Sequence, residues 1–172
     1  MMNDANAASH RADRLQFDAW PSALLEWFDG NALAARTGFT AALVTCQQDG
    51  RLGTSLLGIG ELYAPGPRSL RFALWAQARA ARALAAGGRA ALTFVFDGAF
   101  YQVQLDAVPI ASAGAQAAGL ACFEAVTALG EAQRVPYARL EGGIAFTLDE
   151  RERETTLQRW RQQIEWLKAA DR

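Results

Sequence analysis

Two Asp-Gly pairs, each set between short apolar runs, most constrain what this chain can fold into. Asp49-Gly50 separates FTAALVTC from LGTSLLGIGELYA, and Asp97-Gly98 separates AALTFVF from AFYQVQLDAVPI. Such a pair supplies the positive φ angles that a tight reversal between antiparallel strands requires. Strands joined this way pair with their neighbours in sequence. A doubly wound fold, in which strands and helices alternate throughout, is therefore excluded. In the run after Asp97-Gly98, Tyr101, Val103 and Leu105 face one side while Gln102, Gln104 and Asp106 face the other. That alternation predicts a strand with one face buried and one wet.

The remaining pattern fills in around these hairpins. Residues 15–36 predict a helix, with Pro21 in a first turn, Leu24, Leu25 and Phe28 as its apolar stripe, and Gly30-Asn31 as a break. Ala64-Pro65-Gly66-Pro67 predicts a turn, because proline cannot donate within a central strand. SLRFALW alternates as a strand and runs into AQARAARALAA, a short Ala/Arg helix closed by Gly87-Gly88. Residues 111–133 are Ala-rich and predict a helix weakened by Gly114, Gly119 and Gly130, after which GIAFTL predicts one more strand. From Asp149, a good N-cap, a final helix carries Leu157, Trp160, Ile164 and Leu167 on one face. Five or six short-turned strands, in a chain that is 51% hydrophobic, favour a small barrel over an open sheet. The expected class is α+β, an antiparallel barrel with flanking helices. With 172 residues and no repeat or linker, residues 15–172 form one domain behind a polar, flexible tail at 1–14.

Composition excludes several chemistries. His10 is the only histidine and lies in that tail, so Ser-His-Asp and Cys-His arrangements are not available to the core. Cys46 and Cys122 are too few and too far apart for a disulfide framework or a metal cluster, and both are expected to be buried free thiols. No metal site and no catalytic residue is assigned. A net charge of −1 gives no electrostatic reason to expect nucleic acid. No apolar run approaches the ~20 residues of a membrane helix, and the N-terminus lacks the apolar middle of a secretory signal, so the expected compartment is the cytoplasm. Lys168 is the only lysine, so a phosphate held by a basic side chain in the core must be held by arginine.

Three features bear on a site. Gly58-Ile59-Gly60 has the start of a dinucleotide fingerprint, but the third glycine is missing and a Pro-rich turn follows where a helix should begin. A bulge or a close approach of another strand is the better reading. At Trp75-Ala76-Gln77-Ala78-Arg79 a strand runs straight into a helix whose first N–H groups are unpaired, and Arg82 follows Arg79 on adjoining helix surface. Backbone amides and two arginines can hold a phosphate; taken alone, the simpler reading is a solvated Ala/Arg helix. Trp160 and Trp166 are expected to be buried, whereas Trp75 either packs on a planar ligand or joins the core.

The run from AALVTCQQDGRLGTSLLGIGELYA through SLRFALWAQARAARALAAGGRAALTFVFDGAFYQVQLDA resembles the pyridoxamine 5′-phosphate oxidase-like, FMN-binding split-barrel family over residues 39–109. It does so in element order, hydrophobic spacing and the two Asp-Gly turns. The resemblance implies a six-stranded antiparallel split barrel, with GIAFTL as a later barrel strand. It also implies a homodimer that binds FMN at two equivalent sites between subunits. Carried over, Thr54, Ser55 and Leu56 approach the flavin ring, Leu74, Trp75 and Gln77 flank the ring or ribityl chain, and Arg79 with Arg82 meets the phosphate. The family's Ser-x-Lys pattern at this helix start is here Ala78-Arg79-Ala80, and the C-terminal substrate residues of the oxidases are not recognisable. The leading expectation is an FMN-dependent oxidoreductase acting on an unspecified small molecule. The alternatives are a cofactor-free dimeric binding protein and a binder of another planar cofactor, haem or F420.

Overall fold

The computed structural model describes residues 12–171, so His10 and most of the tail lie outside the described residues. The strands are β1 (Asp13–Phe17), β2 (Thr40–Cys46), β3 (Leu52–Gly58), β4 (Leu62–Gly66), β5 (Ser69–Trp75), β6 (Arg89–Phe96), β7 (Ala99–Ile110) and β8 (Leu120–Arg134). The helices are α1 (Ser22–Trp27), α2 (Arg79–Gly87), α3 (Ala113–Ala117) and α4 (Glu150–Ala169). All eight strands belong to one antiparallel sheet, ordered β3-β2-β6-β7-β8-β5-β4 with β1 added along β8, and the sheet curls into a half-barrel. Two more strands are thus present than the six expected.

Both Asp-Gly reversals form. Gly50 takes φ 79°, and Asp97 and Gly98 take φ 47° and 70°. Across the second turn β6 and β7 pair without slippage from Phe96–Ala99 back to Arg89–Asp106. Tyr101, Val103 and Leu105 are buried and Gln102, Gln104 and Asp106 exposed, as the alternation requires. Leu43, Leu92, Phe72 and Phe123 add to the same core from neighbouring strands. An aromatic cluster of Trp20, Phe28, Phe39, Phe94 and Tyr101 closes one end.

Several expectations are corrected. Residues 111–133 are not a helix. Only α3 is helical, Gly119 turns the chain at φ 77°, and the rest is β8. Alanine's helix propensity is overridden by backbone pairing with β7 and β5 and, beyond them, β1. The expected helix over 15–36 is reduced to α1 and a 3-10 turn at Leu33–Arg36. Residues 15–17 instead pair with β8 as part of β1, which also takes in Asp13 and Arg14. Ala64, Pro65 and Gly66 do not form a turn but end β4, an edge strand on which proline's missing N–H disturbs no ladder; the reversal falls at Pro67-Arg68. GIAFTL is not a strand: Gly143 and Ile144 form a bend and residues 145–148 are irregular. Cys122 is buried, whereas Cys46, at the end of β2, is exposed.

Helix α4 forms as expected. Asp149 accepts a hydrogen bond from the Arg151 N–H at 2.9 Å, and Leu157, Trp160, Ile164 and Leu167 are buried. Trp166 is half-buried and packs on Gly114. The Gly58-Ile59-Gly60 stretch is a close approach, but to a helix rather than a strand. A Cβ on Gly60 would fall within the Trp160 side chain. Gly60→Ala is therefore expected to displace Trp160 and lower stability by about 1–3 kcal/mol. Urea denaturation measures this, and an unchanged midpoint would show that the helix rides freely over the glycine.

Candidate functional site

β3 is a sheet edge, paired only with β2. Thr54 and Leu56 stand exposed on its outward face, while Ser55 turns the other way and is half-buried. On β5, which lies inside the opposite edge strand β4, Leu74 packs its side chain in the core and offers a ligand only its backbone. Trp75, one residue on, is 59% exposed. The Ala76 N–H donates to the Gly119 carbonyl and the Ala78 N–H to the Trp75 carbonyl, both at 2.9 Å, which makes the β5–α2 junction a tight turn with Gln77 exposed on it.

Helix α2 begins without a cap. Its N-cap residue is Ala78, whose methyl accepts no hydrogen bond, and its first turn holds no acidic residue. The first N–H groups therefore have no side-chain partner at the positive end of the helix. Arg79 adds a further positive charge at that end, which is unfavourable without an anion. Arg82 folds back to donate to the Gln77 carbonyl at 2.7 Å, which fixes its guanidinium beside the junction. Both arginines line an open cleft of about 310 Å³ together with Ala83 and with Gln47, Gln48 and Asp49 of the β2–β3 turn. Because α2 packs against β2, β3 and β5, the helix bridges the two strands, β3 and β5, that carry the expected ligand contacts.

Two guanidinium groups, two carboxamides and an uncapped helix start can hold a phosphate. Asp49 opposes this in part. Its carboxylate accepts from the Arg51 N–H at 3.0 Å and shares the cleft with the arginines. The sequence marks 47–50 as a turn but does not say that its tip meets α2, about thirty residues later. That meeting depends on how the sheet curls.

A second hollow of about 360 Å³ lies along the inner end of β3, bordered by Leu56, Gly58, Glu61, Phe146, Arg159 and Trp160. The Gly58 N–H donates to Glu61 Oε2 at 2.6 Å. Burial pushes the Glu61 carboxyl above its usual range, and the Gly58 bond and the Arg159 charge offset this only in part. Glu61 was not singled out in the sequence analysis, because its burial depends on how the last helix packs over the 3-10 turn at Ile59–Glu61. Among the described residues no three His, Cys, Asp or Glu side chains converge as a metal site, and no helix is long and apolar enough to cross a membrane.

No family model matches the chain. It is 26% identical over 145 residues to the uncharacterized protein YclD of Bacillus subtilis (strain 168), across 84% of this chain and 93% of that protein. A crystal structure from Lactobacillus delbrueckii, named "putative pyridoxamine 5′-phosphate oxidase", superposes with a TM-score of 0.51 at 14% identity, covering 68% of this chain and 97% of the other. An FMN-binding protein from Syntrophomonas wolfei gives a TM-score of 0.43 at 12% identity over 62% of this chain and 84% of its own. The fold is the split barrel of the pyridoxamine 5′-phosphate oxidase-like proteins, as the sequence resemblance implied.

The Glu61 environment gives a signed pH dependence. Its folded pKa lies above the ordinary 4.5, so its contribution to stability is fully present below 4.5 and is lost as pH rises through the folded value. Glu61→Gln keeps an acceptor for the Gly58 N–H and removes the titration. Urea denaturation across that window should show a flatter pH profile for the variant; parallel profiles would contradict the assignment.

Proposed function

We propose that this chain binds FMN as a homodimeric split-barrel flavoprotein and acts as an oxidoreductase on a small molecule. The observation that carries this reading is the uncapped start of α2, where Arg79 and Arg82 face a cleft and no acidic residue stands in the first turn. A dianionic phosphate offsets both the unpaired N–H groups and the two guanidinium charges. The exposed faces of Thr54, Leu56 and Trp75 offer flat, partly apolar surface for a ring system, with Gln77 able to donate or accept between ring and phosphate. Bound flavin would supply the redox chemistry, while the chain binds and orients it, consistent with a core that holds no histidine.

The outer face of the sheet supports the dimer. Leu56, Ala42 and Thr93 form one row across β3, β2 and β6, and Thr54, Val44 and Ala91 the next. These rows of small and apolar side chains end in Gln102 and Gln104 on β7. Such a face can meet its own copy about a two-fold axis. Val44→Asp places a charge at its centre and is expected to yield monomer in light scattering after size exclusion. An unchanged dimer would move the interface elsewhere, and a wild-type monomer would remove the homodimer from this reading.

A second reading has its own support. Ala78 and Ala80 stand where the family's serine and lysine are expected, Ala80 is buried, and Asp49 shares the cleft. These features fit a split barrel that serves as a cofactor-free binding protein. Titration with FMN, followed by flavin fluorescence, separates the two. If the arginines hold the phosphate, Arg79→Ala and Arg82→Ala each weaken binding by roughly tenfold or more, since charge-assisted hydrogen bonds contribute about 1.5–3 kcal/mol. Unchanged affinity in the double variant removes the phosphate assignment, and no binding by the wild-type chain favours the cofactor-free reading.

A further inference from the structure

The hollow at the end of β3 shares no lining residue with the cleft at Arg79 and Arg82. Its walls are largely apolar. Leu56, Ile144 and Phe146 are exposed large hydrophobic side chains, and all three gather here beside Trp160. Phe146 meets the Trp160 ring edge-on, with centroids 6.2 Å apart. Apolar side chains exposed together around a concavity mark a binding surface, whereas single ones scattered over a protein do not. At about 360 Å³ the hollow has the size of a small-molecule site.

Two opposite charges border the same space. Glu61 ends the 3-10 turn Ile59–Glu61, and Arg159 stands on α4. The Gly58 N–H engages only Oε2 of Glu61. Oε1 has no hydrogen-bond partner among the described residues, and it is not one of the polar atoms sealed in the core, so a ligand can reach it. Burial penalises the charge on this carboxylate, and a cation at Oε1 offsets that penalty. Arg159 is exposed, and its charge acts on Glu61 without a direct ion pair between the two. The hollow thus presents an acceptor for an ammonium and a guanidinium for a carboxylate. Leu56 also begins the row proposed for the homodimer, but Glu61, Arg159 and Trp160 lie off that face of the sheet, on the 3-10 turn and α4.

We propose that this hollow binds a free α-amino acid with an apolar side chain. Its ammonium donates to Glu61 Oε1, its carboxylate accepts from the Arg159 guanidinium, and its side chain lies against Leu56, Ile144 and Phe146. A simple amine satisfies Glu61 but leaves its charge beside that of Arg159. A simple carboxylic acid satisfies Arg159 but meets the like charge of Glu61. Only a ligand with both charges on one carbon answers both groups. The proposal stands whether or not FMN binds at the start of α2.

Calorimetric titration of the full chain with L-phenylalanine tests this. Phenylalaninamide, which lacks the carboxylate, and 3-phenylpropanoate, which lacks the ammonium, serve as the paired probes. Phenylalanine is expected to saturate one site per chain, and each probe to bind about tenfold or more weaker. Glu61→Gln keeps an acceptor for the Gly58 N–H; it should weaken phenylalanine about tenfold or more and leave 3-phenylpropanoate no weaker than before. Arg159→Gln should weaken phenylalanine similarly and leave phenylalaninamide no weaker. A purely structural role for either residue would not sort the ligands by charge in this way. Arg79→Ala with Arg82→Ala should leave phenylalanine affinity unchanged, which keeps this test apart from the flavin test. Absent phenylalanine binding, including a hollow covered by a second copy of the chain, overturns the proposal. So does equal binding of the three ligands, or full phenylalanine affinity in either hollow variant.

Discussion

Strand β8 is the element on which the rest of the structure depends. It pairs with β7 along most of its length, with β5 through its first half and with β1 through its second. Among the described residues no other strand has three partners. Glu124, buried in its first half, is bound by Arg71 Nε of β5 at 2.7 Å, and Arg71 Nη1 donates to the carbonyls of Leu167 and Lys168 at the end of α4. One guanidinium therefore satisfies a buried carboxylate and also caps the C-terminal helix. Removing either charge breaks this pair inside the sheet and lowers stability. Trp160, two turns earlier on the buried face of the same helix, packs against Gly60. Between them these contacts position β5, and with it the β5–α2 junction.

Legibility in the sequence follows the range of the interactions. The Asp49-Gly50 and Asp97-Gly98 hairpins, the alternation of β7 and the buried face of α4 were readable because each is decided by neighbours within a few residues. β8 was not readable. LACFEAVTALGEAQR has alanine's helix preference locally, and only backbone partners distant in sequence make it a strand. Ala64-Pro65-Gly66 failed for the same reason, since whether a proline breaks a strand depends on whether that strand lies at an edge. At the candidate site, the sequence identified the arginines and the strand-to-helix junction. It did not identify Asp49 and the two glutamines across the cleft, or the burial of Glu61, because burial and pairing are properties of the assembled half-barrel.

The cleft at the start of α2 is open and lined by two arginines. It is the feature on which the proposed reading as a flavoprotein rests. That reading depends on whether two arginines and an uncapped helix replace the hydroxyl and lysine that Ala78 and Ala80 lack.

The visible absorption spectrum of the purified chain, before and after heat release of bound small molecules, tests this most directly. The account predicts flavin bands in the native protein and FMN in the supernatant. A colourless protein that leaves the spectrum of added FMN unchanged would contradict it, and a Soret band would replace flavin with haem.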